Sequence, residues 1–340
     1  MRVMITGATG FIGYHTTRSL QAAGHDVSLL VRSAEKMEGL FGSGAIRHYT
    51  VGDITDADSV RRAMTDCDAV VHVAALVSTH AGDAERVRRT NTEGVRNVIG
   101  GAVEQGLERI VHVSSVTALY NPKARLLDET ALTGTAASGY GRSKVECEEY
   151  VRGLQEAGAP VFITYPATVL GPETPVLTEA HIGLRTYLAN FVPLMPSGNQ
   201  YIDVRDLAEA HLRLLEQPDL PDAPGPHRYT LGGHYIPWVE LGGVLERLTG
   251  RRPRQVRLNP ALLRFSGRLM DRLERHLPFE VPLTEEGLGY ATRWVMVDNG
   301  WAERRLGLSL RPVEETLADT IRWLGAEGHI TPKQAGVLAR

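Results

Sequence analysis

Short apolar runs alternate with longer amphipathic stretches through the first half of the chain. Arg2 to Ile5, Val27 to Val31, Ile46 to Val51, Ala69 to Val73, Arg109 to Val113 and Val161 to Tyr165 each read as a buried strand. Between them lie helical patterns: Phe11 to Ala23 with Gly24 behind it, Asp56 to Met64, about Asp83 to Gln105, and Ser138 to about Glu156. This alternation predicts an α/β fold built on a doubly wound parallel sheet. Beyond Pro172 proline and glycine become denser and the alternation stops. Order resumes at Tyr201 to Asp203, with Asp203 as the N-cap of a helix to Glu216, then a late strand over Arg228 to Leu231. Pro312 to Leu324 reads as an amphipathic helix with proline at its start.

The first strand runs directly into Thr6-Gly7-Ala8-Thr9-Gly10-Phe11-Ile12-Gly13. Gly7 permits the tight turn, Gly10 lets a diphosphate approach the backbone, and Gly13 lets the helix pack close to the strand. The N–H groups around Thr9, Phe11 and Ile12 and the helix dipole then favour negative charge there. A glycine string between strand and helix is the context that a dinucleotide-binding turn requires. It makes residues 1–170 plus about 198–234 a dinucleotide-binding (Rossmann) domain. Residues of about 171–197 plus 235–340 form a smaller, mixed α/β substrate domain.

Other strand ends fall beside that turn. An acidic residue commonly binds the adenosine ribose about 20 residues past the glycines, and here Arg32 stands there with Lys36 one helical turn on. A guanidinium can chelate a 2′-phosphate, so NADP(H) is the expected cofactor, ahead of NAD(H). Asp53 and Ile54 follow the third strand; Asp53 either covers the adenine or caps the next helix. Ala74 and Ala75 are small enough for backbone to approach a flat ring, and Pro166 and Val169 stand at the end of the sixth strand.

The candidate chemistry is Ser114-Ser115 at the end of the fifth strand, followed by Tyr140 and Lys144. The last two are four apart and share one helix face. A free tyrosine is a poor acid or base at neutral pH, and a nearby ammonium favours its phenolate. Cys147, on the same face, reads as a small core residue.

Together with Tyr165-Pro166-Ala167-Thr168-Val169-Leu170-Gly171-Pro172 and Tyr201-Ile202-Asp203-Val204-Arg205-Asp206-Leu207-Ala208, these motifs resemble the extended short-chain dehydrogenase/reductase family. The likeness is greatest to its dihydroflavonol-reductase-like branch and to bacterial hopanoid-associated sugar epimerases. It implies that Ser115 polarises the substrate oxygen, with Ser114 and Thr117 as rivals. It implies that Tyr140 is the general acid/base, and that Lys144 tunes it and holds the nicotinamide ribose. It also implies a homodimer through the helices of 83–105 and 138–156. The Asp-Glu pair of sugar-nucleotide dehydratases is replaced by Val116-Thr117, which weakens that activity.

Composition narrows the classes. The 340 residues are 43% hydrophobic, enough for a full core. Net charge is -3, so no bulk pull draws the chain to nucleic acid or to an anionic membrane. Two cysteines fit a reducing compartment, and a strand starting at residue 2 leaves no room for a leader, so the expected location is cytoplasmic. No apolar run is long enough to span a bilayer, and no His-Glu-x-x-His or close Cys/His cluster predicts a metal site. The arginines from Arg251 to Arg275 read as a solvated helix face, with a membrane-surface or anionic-substrate contact as the rival.

Three functions compete. One is a carbonyl reductase or alcohol dehydrogenase. Another is a nucleotide-sugar epimerase, with Arg185 or Arg205 as a diphosphate clamp. The last is a non-catalytic NADP-binding regulator. The expected pocket walls are Leu76 to His80, Tyr120, Pro172 to Met195 and Tyr290 to Trp294. Their apolar character predicts a small-molecule carbonyl or alcohol, oriented by one hydrogen bond from His80 or Tyr120.

Overall fold

Seven parallel strands form the central sheet: β1 (Arg2–Thr6), β2 (Asp26–Val31), β3 (His48–Val51), β4 (Ala69–His72), β5 (Arg109–Val113), β6 (Val161–Pro166) and β7 (Arg228–Leu231). Their spatial order is β7-β6-β5-β4-β1-β2-β3. The structure is a computed structural model that describes residues 1–78, 81–136, 139–217, 227–274 and 285–339. The chain winds outward from β1 to β3 and then returns to the other side of β1 as β4. A crevice opens where the order reverses, beyond the C-terminal ends of β1 and β4, the usual ligand position in such sheets.

The helices relevant to that crevice are α1 (Phe11–Ala22), α2 (Ala34–Phe41), α3 (Ala57–Met64), α4 (Ala84–Val95), α5 (Gly139–Glu156) and α6 (Val204–Glu216). Beyond α4 the same helical run passes through a π turn at Arg96–Gly100 and ends at Glu104. Strand alternation divides the apolar residues between two faces. Val3 and Ile5 pack with Leu20 of α1 and Leu207 and Leu214 of α6. Met4, between them, packs on the other face with Val98, Ile99 and Cys147 and Val151 of α5. A third cluster joins Leu170, Leu184, Val192 and Tyr201 to Trp238, Leu241, Leu317 and Ile321. Its strands are short: Thr168–Leu170 lies parallel to Gly198–Asp203, which pairs antiparallel with His234–Pro237.

The sequence boundaries shift by a residue or two. The third strand begins at His48, and the helix expected from Pro312 spans Val313–Ala326. Asp203 caps α6, accepting the Arg205 N–H at 2.8 Å. Asp56, not Asp53, caps α3: its carboxylate accepts the Asp58 N–H at 3.1 Å and the Ser59 hydroxyl.

Three histidines are sealed in the sheet layers. His72 and His211 are fully buried, and burial pushes both down to about 3, helped at His72 by the Lys144 ammonium. His112 is lowered as well, by burial first, and its ring nitrogens have no hydrogen-bond partner among the described residues. These imidazoles stay neutral in the folded chain but take up protons in the unfolded chain near pH 6.5. Stability should therefore hold above that pH and decline below it, by about 1.4 kcal/mol per pH unit for each group. Thermal unfolding across pH should show a shallower decline for His211→Gln. An unchanged slope would contradict this account.

Candidate active site

The turn after β1 leaves no space for a side chain at Gly7 or Gly13. Gly7 adopts φ +75, and a Cβ on it would sit 2.8 Å from the Ala74 nitrogen. A Cβ on Gly13 would overlap the Gly7 carbonyl oxygen, so α1 can approach β1 only with glycine there. Gly10 stands at the N-cap of α1, which has no side-chain cap and no acidic residue in its first turn. This is a backbone cradle with its N–H groups left for an anion, and it fits a diphosphate. The side chains of Phe11 and Ile12 pack inside the protein. The Phe11 ring stacks edge-on against His15 and His181, and Ile12 packs on the first core cluster. Thr9 is half-buried within the turn.

Ala74 is brought to Gly7 by Thr6. The Thr6 Oγ1 accepts the Ala74 N–H at 3.1 Å and lies 2.7 Å from His72 Nδ1. Ala75 is half-buried beside it. At the end of β2, Arg32 and Lys36 are exposed, and neither has an ion-pair partner among the described residues. The Ser33 hydroxyl caps α2 by accepting the Lys36 N–H, which sets the two cations one turn apart. Asp53 accepts both the backbone N–H and the hydroxyl of Thr55, so its carboxylate is tied into a local turn. Ile54 fills the space over Gly94, and its carbonyl accepts from Asn97. Pro166 closes β6 opposite Leu231, and Val169 packs against the first core cluster.

The Ser-Ser doublet separates into two roles. Ser114 is buried and donates to Glu148 Oε2 at 2.9 Å. Glu148 is fully buried and also accepts from Arg152 at 2.6 Å and from the Tyr165 hydroxyl. Ser114 is thus spent inside the core. Ser115 faces a cavity, and its Oγ donates to Thr117 Oγ1 at 3.1 Å. On α5, Lys144 is 4% exposed and its Nζ lies 5.8 Å from the Tyr140 ring centroid. This ammonium has no carboxylate partner among the described residues. A buried cation in that state fits a ligand supplying acceptor oxygens. Cys147 is buried, and burial pushes its thiol up to about 11, which suits a core residue. Ser138, expected to open the helix, lies outside the described residues.

Some supporting residues escaped the sequence reading. Asn91 holds the backbone of Leu76 at both N–H and carbonyl and donates to Ser143 Oγ, which in turn donates to the Tyr140 carbonyl. One amide thereby ties the loop after β4 to the helix that carries Tyr140. The Thr90-Asn91-Thr92 run inside a helix was its only sequence signal, since asparagine is a poor helix former. Glu148, four residues past Lys144 and four before Arg152, was signalled only by its spacing.

The cavity, about 160 Å³, is lined by Ser115, Val116, Thr117, Tyr120, Leu127, Ala167, Thr168, Tyr290, Trp294 and Val295. Tyr120, Tyr290 and Trp294 are where the sequence puts them. The Pro172 to Met195 segment is not: Ile182, Arg185, Thr186, Ala189 and Asn190 line a separate cleft with His329. The Tyr120 hydroxyl donates to the Arg293 carbonyl at 2.9 Å, which leaves it only as an acceptor for a ligand. His80 lies outside the described residues.

A family model for NAD dependent epimerase/dehydratases matches residues 3–232. The chain belongs to that family. Among its relatives, sterol demethylase protein B of Methylococcus capsulatus is 27% identical over 97% of this chain and 100% of its own. Cinnamoyl-CoA reductase 1 of Oryza sativa is 31% identical over 74% of this chain and 77% of its own. The crystal structure of gox2253 superposes with a TM-score of 0.78 at 27% identity, covering 97% of this chain and 99% of that one. A UDP-glucose 4-epimerase from Stenotrophomonas maltophila, solved with NAD and formylated UDP-arabinopyranose, gives a TM-score of 0.74 at 22% identity, covering 97% and 99%. The family uses a nicotinamide dinucleotide, NAD or NADP.

The two serines should respond differently. Ser114→Ala leaves Glu148 short of one buried donor and should lower stability by about 1–3 kcal/mol while turnover persists. Ser115→Ala should leave the melting temperature almost unchanged and remove most turnover. Melting curves and steady-state rates on both variants check this; reversed phenotypes would return the polarising role to Ser114.

Proposed function

We propose that the protein is an NADP(H)-dependent oxidoreductase acting on the carbonyl or secondary alcohol of a mainly apolar small molecule. The observation that supports this most is the lining of the cavity. Ser115 and Thr117 are its hydroxyl groups nearest the end of β5, its other walls are largely aromatic and aliphatic, and no arginine or lysine lines it among the described residues. A nucleotide sugar carries a diphosphate whose charge is costly to bury without several donors. The two arginines that the sequence offered as a clamp stand elsewhere. Arg185 lines the separate cleft, and Arg205 is paired with Asp203 at 2.7 Å and Asp319 at 2.9 Å. The name of one relative, a sterol demethylase protein, agrees with an apolar substrate, whereas cinnamoyl-CoA joins an apolar acyl group to a charged nucleotide carrier.

When bound, the nicotinamide supplies or accepts the hydride. The chain's own residues do the rest. The backbone from Gly7 to Gly13 holds the diphosphate, and Arg32 with Lys36 holds the 2′-phosphate. Ser115 donates a hydrogen bond to the substrate oxygen and so polarises the carbonyl. Tyr140 gives that oxygen its proton, or removes it in the reverse direction, and the Lys144 ammonium stabilises the phenolate that remains. We read the third core cluster and the segments around it as the substrate domain, which closes the cavity with Tyr290 and Trp294.

Tyr140→Phe should keep the cofactor dissociation constant and remove most turnover, because the ring still packs but the proton is gone. Comparable turnover in that variant would take Tyr140 out of the mechanism. NADPH should be preferred over NADH by at least about tenfold, or about 1.4 kcal/mol, and Arg32→Asp should erase the preference. Equal use of both cofactors by the wild type would contradict the role of Arg32. Arg185→Ala should not change the kinetics toward apolar carbonyls. Tight binding of a nucleotide sugar, lost in Arg185→Ala, would favour the epimerase.

A further inference from the structure

One surface of the molecule is unlike the rest. Helix Pro260–Glu274 carries Leu262, Phe265 and Leu269, which are 65%, 60% and 46% exposed. Their i, i+3, i+7 spacing confines them to a stripe of about 60° on one face. Other sides of the helix are held by protein. Leu263 packs on the third core cluster, Gly267 is buried, and Arg264 donates to Thr292 Oγ1 at 3.1 Å. Single exposed apolar residues are ordinary, but three on successive turns of one helix are not.

The charge around the stripe is mainly positive. From 251 to 275 the sequence holds eight arginines against Asp271 and Glu274, in a chain whose net charge is -3, and of the eight Arg252 is paired with Glu246 at 3.7 Å. Arg254 and Arg257 are exposed and have no ion-pair partner among the described residues. A solvated face would explain the arginines but not the exposed Leu-Phe-Leu stripe. A symmetric contact with a second copy would bring both sets of arginines together, which like-charge repulsion opposes.

We propose that helix Pro260–Glu274 and the arginine segment before it dock onto an anionic phospholipid bilayer. Leu262, Phe265 and Leu269 enter the boundary between headgroups and acyl chains, about 5–10 Å deep, and the arginines meet the lipid phosphates. This is peripheral binding; no described helix is long and apolar enough to cross a membrane. The same helix packs against Glu285–Thr292, which supplies Tyr290 to the cavity, so docking holds the cavity close to the lipid surface. The surface is separate from the cradle and the cavity, and the proposal does not depend on which substrate is turned over.

The test is co-sedimentation of the full chain with vesicles of phosphatidylcholine alone or mixed with phosphatidylglycerol. The wild type should bind the anionic vesicles at least about tenfold more tightly than the neutral ones, with binding weakened by added salt. Phe265→Asp, and separately the double variant Arg254→Glu with Arg257→Glu, should each lower that affinity about tenfold. Both should retain the wild-type circular dichroism and cofactor affinity. Leu132→Asp, at a loop residue 82% exposed, should bind vesicles as the wild type does. Failure of the wild type to bind anionic vesicles at low salt would overturn the proposal. So would equal binding by the Phe265 and arginine variants. Self-association abolished by Phe265→Asp, without vesicle binding, would assign the stripe to a second copy instead.

Discussion

The contact between Gly13 and Gly7 is the constraint on which the site depends. Helix α1 meets the end of β1 so closely that a Cβ at Gly13 would overlap the Gly7 carbonyl oxygen. That approach points the uncapped first turn of α1 into the crevice where the strand order reverses. Thr6 completes the geometry by holding Ala74 against Gly7. A larger side chain at either glycine would move the helix, and the anion cradle would move with it.

The second level of order is polar and buried. Helix α5 is pinned by Asn91 through Ser143, and by Ser114 through Glu148. These bonds lie in the core, where a missing partner leaves a desolvated group and is therefore costly. They set the rotation of α5, and that rotation decides where Tyr140 and Lys144 stand relative to Ser115. His72 belongs to the same layer: it is bonded to Thr6, and the Lys144 ammonium helps to keep its ring neutral.

Much of this was legible in the sequence because it is local. Strand–turn–helix spacing revealed the cradle, apolar runs revealed the parallel sheet, and the four-residue interval placed Tyr140 beside Lys144. What was not legible depends on long-range contacts. Nothing in Ser114-Ser115 says which serine turns inward; the partner, Glu148, comes from another element. The Asp53 carboxylate could equally have capped α3, and the choice fell to Asp56 through backbone geometry over three residues. The segment of Pro172 to Met195 looked like a pocket wall by composition, yet its helix Glu179–Ala189 faces a different cleft, with His329. Apolar content alone does not say which side of a helix meets which cavity.

In the proposed reaction a hydride passes directly between a nicotinamide and an apolar carbonyl. The most direct measurement uses NADPH with deuterium at the transferable position, an apolar ketone or aldehyde, and mass spectrometry of the alcohol formed. One deuterium is expected on the former carbonyl carbon, with the solvent contributing only the hydroxyl proton. Product carrying solvent hydrogen on that carbon would contradict it. So would inertness toward every apolar carbonyl while a nucleotide sugar is converted with no net use of cofactor.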